Sequence, residues 1–268
     1  MLKDITLGQY FPGDSVIHKM DARVKLLLTI AFIIMLFAAK NMYSLLVGVV
    51  FALLSFAISK IPFSMIRTSL KPIVPIVIFT ALLNILFVST GEELFSIWVI
   101  TITDEGLDTA VYMVVRIVCL IIGSSLLTYT TSPIDLTDAI ERLLRPLKKI
   151  KVPVHELAMM MTIALRFIPT LIEETDKIMS AQKARGSELD TGNLKQKVKS
   201  MLPIVIPLFV SSFRRAEELA TAMECRCYHG GEGRTKMKQL TLTYRDLSGS
   251  IYTAIFIAAV VALNIIIK

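Results

Sequence analysis

The sequence is poor in cysteine and histidine, the residues most often used in redox and zinc sites. Its 268 residues include only 3 Cys and 3 His, too few for a disulfide framework. Cys225 and Cys227 form the one close thiol pair, at a spacing one residue tighter than the usual zinc knuckle and without a second pair. No Ser/His/Asp constellation is recognisable, and no Gly-x-x-x-x-Gly-Lys-Ser/Thr loop is present to bind ATP.

Charged residues are also scarce, at 19% of the chain, whereas 54% of the residues are hydrophobic. An ordinary soluble domain has about 25% charged and about 45–50% apolar residues. The excess is concentrated in five apolar runs, Leu26–Ala39, Tyr43–Ser59, Ile73–Val88, Val111–Leu127 and Ile251–Ile267. Because a membrane-crossing helix needs roughly 17–25 mostly apolar residues, the sequence predicts a helical integral membrane protein.

The apolar runs predict five membrane spans. One helix over 26–59 would be about 51 Å long, far more than a hydrocarbon core of roughly 30 Å, so a turn at Lys40 and Asn41 predicts two spans there. The third run follows Pro72 and contains Pro75 and Asn84, which predicts a kinked helix packed against neighbours.

Basic residues predict the orientation of these spans. The segment 132–248 holds 19 of the 29 Lys and Arg residues, whereas 89–109 holds none and carries five acidic residues. Because cytoplasmic segments are enriched in Lys and Arg, we expect the N-terminus and 132–248 to lie inside the cell. The acidic loop and the C-terminus are then outside, which an odd number of spans satisfies.

The segment of 117 residues between the last two spans is predicted to be helical rather than a linker. A first helix begins at Ser132–Pro133 and ends near Lys149 in a basic cluster, which suits the helix dipole and anionic lipid headgroups. A second helix is predicted over about 154–184 and a third over about 194–227, each with an apolar stripe at spacings of three and four. We expect this pair to be antiparallel or crossed under the membrane.

Both long helices end on an arginine between two small residues. The first end is Ala184-Arg185-Gly186 and the second is Cys225-Arg226-Cys227. Gly186 suits the left-handed position that follows a helix, and the arginine before it presents five donors in a rigid fork. Either each arginine simply complements its helix dipole, or two equivalent tips contact a soluble partner.

Two further features allow a structural and a functional interpretation. Arg116 lies within the fourth span, where a charge is a functional candidate, or it reaches the interface or pairs with Asp108. A run of methionines at Met159, Met160 and Met161 is either core filler or a flexible surface for a partner.

Three stretches carry a family resemblance: Lys19–Leu26, Ala164–Thr170 leading to Ala181–Gly186, and Ser212–Ala220 leading to Cys225–Cys227. They resemble the transmembrane (T) component of energy-coupling factor (ECF) transporters over nearly the whole chain. The resemblance implies an all-α membrane protein with about five spans and two long crossed coupling helices. The corresponding domains are 1–131 with four spans, 132–248 with the coupling helices, and 249–268 with the last span.

The resemblance also implies the partners of this chain. Two ATP-binding-cassette ATPases are expected to receive the tips, one at Ala184-Arg185-Gly186 and the other at Cys225-Arg226-Cys227. A small membrane S component captures a vitamin or metal ion, and Met159–Met161, Phe209 and Phe213 are its expected surface. The chain is then a non-catalytic subunit in the lipid bilayer of a prokaryotic plasma membrane. ATP and Mg are bound by the ATPases, and no nucleic acid is involved.

The second tip departs from the family, in which Ala-Arg-Gly is more usual than Cys225-Arg226-Cys227. Cys227 adopts left-handed backbone angles less readily than glycine, so the sequence does not determine the backbone geometry of this tip.

Two other functions fit part of the pattern. A conventional importer permease would form the solute path itself and carry one short coupling helix. A membrane thiol oxidoreductase would use Cys225 and Cys227 and would lose activity on Cys→Ser replacement.

Overall fold

The structure is a computed structural model that describes residues 10–88, 93–97, 100–187, 193–230 and 240–267. Most described residues are helical, which confirms the predicted class. The helices are α1 (Ala22–Ala38), α2 (Met42–Ser59), α3 (Phe63–Leu70), α4 (Val74–Phe87), α5 (Asp104–Thr130), α6 (Pro133–Leu144), a 3₁₀ helix (Arg145–Ile150), α7 (Val154–Ala184), α8 (Leu194–Cys225) and α9 (Tyr244–Ile266). Two short strands, β1 (Glu93–Ile97) and β2 (Ile100–Thr103), pair antiparallel.

The strands occupy the acidic loop, for which the sequence predicted no regular structure. Residues 89–92 and 98–99 of this loop lie outside the described residues, as do 1–9, most of the link between α7 and α8, and the basic stretch 231–239. The loop ends at Thr103, whose hydroxyl accepts from the Gly106 N–H and so caps α5.

Four described helices are long and apolar enough to cross a membrane, or five if the bent pair α3–α4 is one span. The four are α2, α5, α7 and α9, with α7 the least apolar of them. The predicted first span forms α1, which has 17 residues. This length is the lower limit for a helix that crosses a membrane. Helix α7, which the sequence predicts on the cytoplasmic side, is thus also long and apolar enough to cross a membrane.

The predicted kink of the third apolar run is confirmed at its beginning. Helices α3 and α4 meet at an angle of 58° across residues 71–73. Pro72 lies in this break, and Pro75 stands in the first turn of α4, where no helical partner is needed for its missing N–H.

The described residues form two compact units, one within Gly8–Ala139 and Leu240–Lys268 and the other within Ile140–Gln239. The first unit packs α1, α2, α5 and α9 around a core that includes Phe32, Leu36, Leu45 and Val260. Its aromatic rings stack, with centroids 5.0 Å apart for Phe32–Phe51 and again for Phe51–Tyr252. Small residues make room for these rings, since a Cβ on Gly123 would lie 2.2 Å from Phe32 Cε1.

The stretch Lys19–Leu26 ties the beginning of α1 to two other helices. Asp246 accepts the Asp21 N–H at 2.7 Å with Oδ1 and the Thr243 N–H at 2.7 Å with Oδ2, so one carboxylate joins the beginnings of α1 and α9. Lys25 Nζ donates to the Thr130 carbonyl at the end of α5, at 2.8 Å. The motif that carried part of the family resemblance is therefore a structural junction within the first unit.

Candidate functional site

Helix α7 ends in a Schellman motif built around Gly186. The last helical residue is Ala184, and Gly186 takes the left-handed conformation with φ 83°. The Gly186 N–H donates to the Lys183 carbonyl and the Ser187 N–H donates to the Gln182 carbonyl, both at 3.0 Å. These two bonds satisfy carbonyls that the end of a helix leaves free.

Helix α8 ends in the same motif, although no glycine is present. Cys227 holds φ at 55°, its N–H donates to the Glu224 carbonyl at 2.8 Å, and the Tyr228 N–H donates to the Met223 carbonyl at 3.1 Å. The spacing of donors and acceptors is identical to that at the end of α7. The cysteine that separates this tip from the family pattern thus leaves its backbone geometry unchanged.

Both tips face open space within the described part of the chain. All six residues of the two tips are exposed, namely Ala184, Arg185, Gly186, Cys225, Arg226 and Cys227. Each arginine stands at the helix C-cap, directly before the left-handed residue. Neither guanidinium forms an ion pair with another described residue, so both keep their donors for an external acceptor.

One ion pair joins α7 to α8 at equal distances from the two tips. Arg215 Nη2 donates to Glu174 Oε2 at 2.8 Å. Glu174 precedes Arg185 by 11 residues, and Arg215 precedes Arg226 by 11 residues. At 1.5 Å per residue, each tip arginine lies about 17 Å along its helix from this pair. No spacing within one helix reveals this pairing, so it could not be predicted from the sequence.

A second contact fixes the direction of the helix pair. Gln182 Nε2 donates to the Pro203 carbonyl at 3.4 Å. Moving along α7 from Glu174 to Gln182 therefore corresponds to moving backwards along α8 from Arg215 to Pro203. The order is antiparallel, so the two tips point away from the ion pair in opposite senses. The crossing of the two helices remains a prediction.

The predicted apolar surface is exposed on both helices. Met160 and Met161 are 56% and 48% exposed, and Met159 is half-buried. Phe209 and Phe213 are each 61% exposed, with ring centroids 4.6 Å apart. These exposed apolar side chains are available for contact with another apolar surface.

The thiols and Arg116 take no part in a shared site. Cys225 and Cys227 are exposed and unpaired, and the described residues contain no group of three His, Cys, Asp or Glu placed to hold a metal ion. Arg116 donates to the Ala39 carbonyl at 2.9 Å and to the Tyr112 hydroxyl at 2.6 Å. It therefore caps the end of α1, in place of the suggested partner Asp108.

Comparison with known proteins identifies the family. The family of CbiQ, described as a cobalt transport protein, matches residues 13–237. The energy-coupling factor transporter transmembrane protein EcfT of Clostridium kluyveri is 56% identical over 259 residues, covering 96% of each chain. Those of Ruminiclostridium cellulolyticum and Bacillus subtilis are 51% and 48% identical, covering 98% of each chain, and 92% of this chain and 94% of the relative, respectively. With a family match over most of its length and relatives this similar, the chain belongs to the family of energy-coupling factor transporter transmembrane proteins, and it is a multi-pass membrane protein.

Proposed function

We propose that this chain couples ATP hydrolysis by two ATP-binding-cassette ATPases to the release of a substrate by an S component, in a complex that imports vitamins or similar micronutrients. The observation that carries this proposal is the pair of identical, exposed, arginine-bearing helix ends. A coupling element has to present a rigid contact to each of two equivalent motor subunits. Two Schellman-capped tips at equal distances from one ion pair meet that requirement.

Arginine suits such a contact because a helix tip offers little area to bury. Its planar guanidinium donates in a fork that matches a carboxylate or neighbouring carbonyl groups. A desolvated arginine at the centre of an interface contributes about 2 kcal/mol or more. We assign Arg185 to one ATPase and Arg226 to the other. The flanking residues Ala184, Gly186, Cys225 and Cys227 let the partner approach the helix end closely.

The link at Glu174 and Arg215 gives these tips a way to act together. A displacement of one ATPase moves one tip, and the ion pair carries the motion into the other helix. The exposed apolar side chains at Met159–Met161, Phe209 and Phe213 are the surface that we assign to the S component. Movement of the helix pair then tilts the S component and releases its cargo.

This function places each part of the chain on one side of the membrane. The tips and α7–α8 lie in the cytoplasm of a prokaryotic cell together with the N-terminus, and the C-terminus lies outside, in accordance with the basic residues of 132–248. ATP and Mg bind to the ATPases, and the chain itself is non-catalytic.

Copurification tests the docking of the ATPases. The tagged chain is purified in mild detergent from its own host, and the proteins that accompany it are identified and quantified. We expect two ATPase subunits per chain, and their loss in an Arg185→Glu/Arg226→Glu variant. The matched control is Lys177→Glu/Arg214→Glu, which reverses two exposed cations on the same helices away from the tips and should retain the ATPases. Retention of the ATPases by the tip variant, or equal loss in both variants, would contradict the proposal.

Two further measurements separate this function from its alternatives. Photocrosslinkers at Met160 and Phe209 should capture a small membrane protein, and capture of lipid alone would remove the S component from this surface. A Cys225→Ser/Cys227→Ser variant should transport at the wild-type rate. Loss of an activity of the isolated chain on that replacement would favour a thiol oxidoreductase instead.

A further inference from the structure

A row of exposed cations precedes α7. The 3₁₀ helix Arg145–Ile150 carries Arg145, Lys148 and Lys149, and Lys151 follows as its left-handed C-cap with φ 61°. We call these four residues the basic turn. All four are exposed, and none forms an ion pair with another described residue. A cluster of this kind attracts an anionic partner because no carboxylate among the described residues neutralises it.

The geometry of the 3₁₀ helix aligns these charges. With three residues per turn, side chains three apart in sequence are eclipsed. Arg145 and Lys148 therefore stand on one edge about 6 Å apart. No Asp or Glu occurs between Glu141 and Glu156, so the sequence also supplies no local counter-charge.

An exposed apolar side chain lies among these cations. Ile150, between Lys149 and Lys151, is 72% exposed, and Leu144 before the turn is 42% exposed. Exposed aliphatic groups among cations suit the boundary between headgroups and acyl chains, where lysine stems lie along apolar surface and their ammonium groups reach phosphate.

The position of the basic turn in the chain points to the same partner. It ends three residues before α7, whose first half is largely apolar and whose second half carries charged residues. Clusters of four or more cations beside a membrane helix or on an amphipathic helix are typical of binding to anionic lipids. We propose that the basic turn binds the headgroup of an anionic phospholipid, with Ile150 inserted among the acyl chains, and so fixes the beginning of α7 at the membrane surface.

Fluorescence quenching by brominated lipids tests this site in the full chain. The single tryptophan Trp98 is replaced by Phe, and Ile150→Trp supplies a probe within the basic turn. The protein is placed in lipid nanodiscs of phosphatidylcholine that contain a small fraction of either brominated phosphatidylglycerol or brominated phosphatidylcholine. We expect the anionic quencher to be about threefold or more as effective at equal mole fraction, because several cations attract it.

Charge-neutral variants in the same background show which cations cause the preference. The variant Arg145→Gln/Lys148→Gln/Lys149→Gln/Lys151→Gln should quench equally with both lipids. The control Lys177→Gln/Lys183→Gln/Lys195→Gln/Lys199→Gln removes four exposed lysines from α7 and α8 and should keep the preference. Equal quenching in the unneutralised protein, or a preference that survives in the basic-turn variant, would overturn the proposal. If lipid preference is absent and the basic-turn variant instead loses a copurifying protein, the partner is an acidic protein surface. None of these readouts depends on the ATPases.

Discussion

Replacing Cys227 with glycine should stabilise the tip of α8. Cys227 holds φ at 55°, and the left-handed conformation costs a residue with a Cβ roughly 1–2 kcal/mol. Glycine removes that cost, but it also gives the unfolded chain more freedom, which opposes the gain by about 0.4–1 kcal/mol. The net expected stabilisation is about 0.5–1 kcal/mol, equivalent to a 2–5-fold lower opening equilibrium of the helix end.

Amide hydrogen exchange measures this change directly at the Tyr228 N–H, which donates to the Met223 carbonyl only while the tip is formed. The Cys227→Gly variant should exchange there about 2–5-fold more slowly. Cys227→Ala is the matched control, because it removes the thiol and keeps the Cβ, and it should exchange as the wild type does.

The end of α7 provides the reverse experiment. A Cβ on Gly186 would meet no atom within 4 Å, so Gly186→Ala introduces backbone strain without a clash. The Ser187 N–H, which donates to the Gln182 carbonyl, should then exchange faster by a similar factor. Unchanged or faster exchange at Tyr228 in Cys227→Gly would refute the conclusion that both helices end in the same strained motif.

Three changes in the first unit have expected effects on stability. Lys25→Met leaves the buried Thr130 carbonyl without its 2.8 Å donor and should lower the free energy of unfolding by about 1–3 kcal/mol; an unchanged thermal midpoint would contradict this. Gly123→Ala places a Cβ 2.2 Å from Phe32 Cε1, and the overpacking cost of about 1–3 kcal/mol should exceed the gain in helix propensity and lower the midpoint, with partial recovery on Phe32→Leu. Burial lowers the pKa of His18 below its ordinary 6.5. As the pH falls, the unfolded chain therefore binds the proton before the folded chain does, and stability should fall as the pH drops through about 6.5. His18→Gln should remove that dependence, and an identical pH profile of stability in both proteins would refute it.

The extent of the two long helices could be predicted from the sequence. Apolar stripes predicted about 154–184 and about 194–227, and the structure has Val154–Ala184 and Leu194–Cys225. Local signals suffice here because the residues that cap a helix determine where it ends. Gly186 shows this directly, and its left-handed φ of 83° was expected.

Features that depend on distant residues could not be predicted. The sequence left undecided whether Arg116 reaches the membrane interface or forms an ion pair. Its actual acceptor, the Ala39 carbonyl, lies 77 residues away in sequence. The pairing of Glu174 with Arg215 likewise needs the packing of one helix on another. Cys227 illustrates a third case, since propensity disfavours the left-handed conformation but the hydrogen bonds of the Schellman motif impose it.

Photocrosslinking from the residue after each tip tests most directly whether each tip docks on an ATPase. A photoreactive amino acid is introduced singly at Ser187 or at Tyr228, each of which donates the second hydrogen bond of its Schellman motif. Crosslinking is carried out in native membranes with the complex assembled. We expect both positions to capture an ATPase subunit, each giving a product of this chain plus one ATPase. An assembled complex in which only one position, or neither, captures an ATPase would contradict the docking of two equivalent tips.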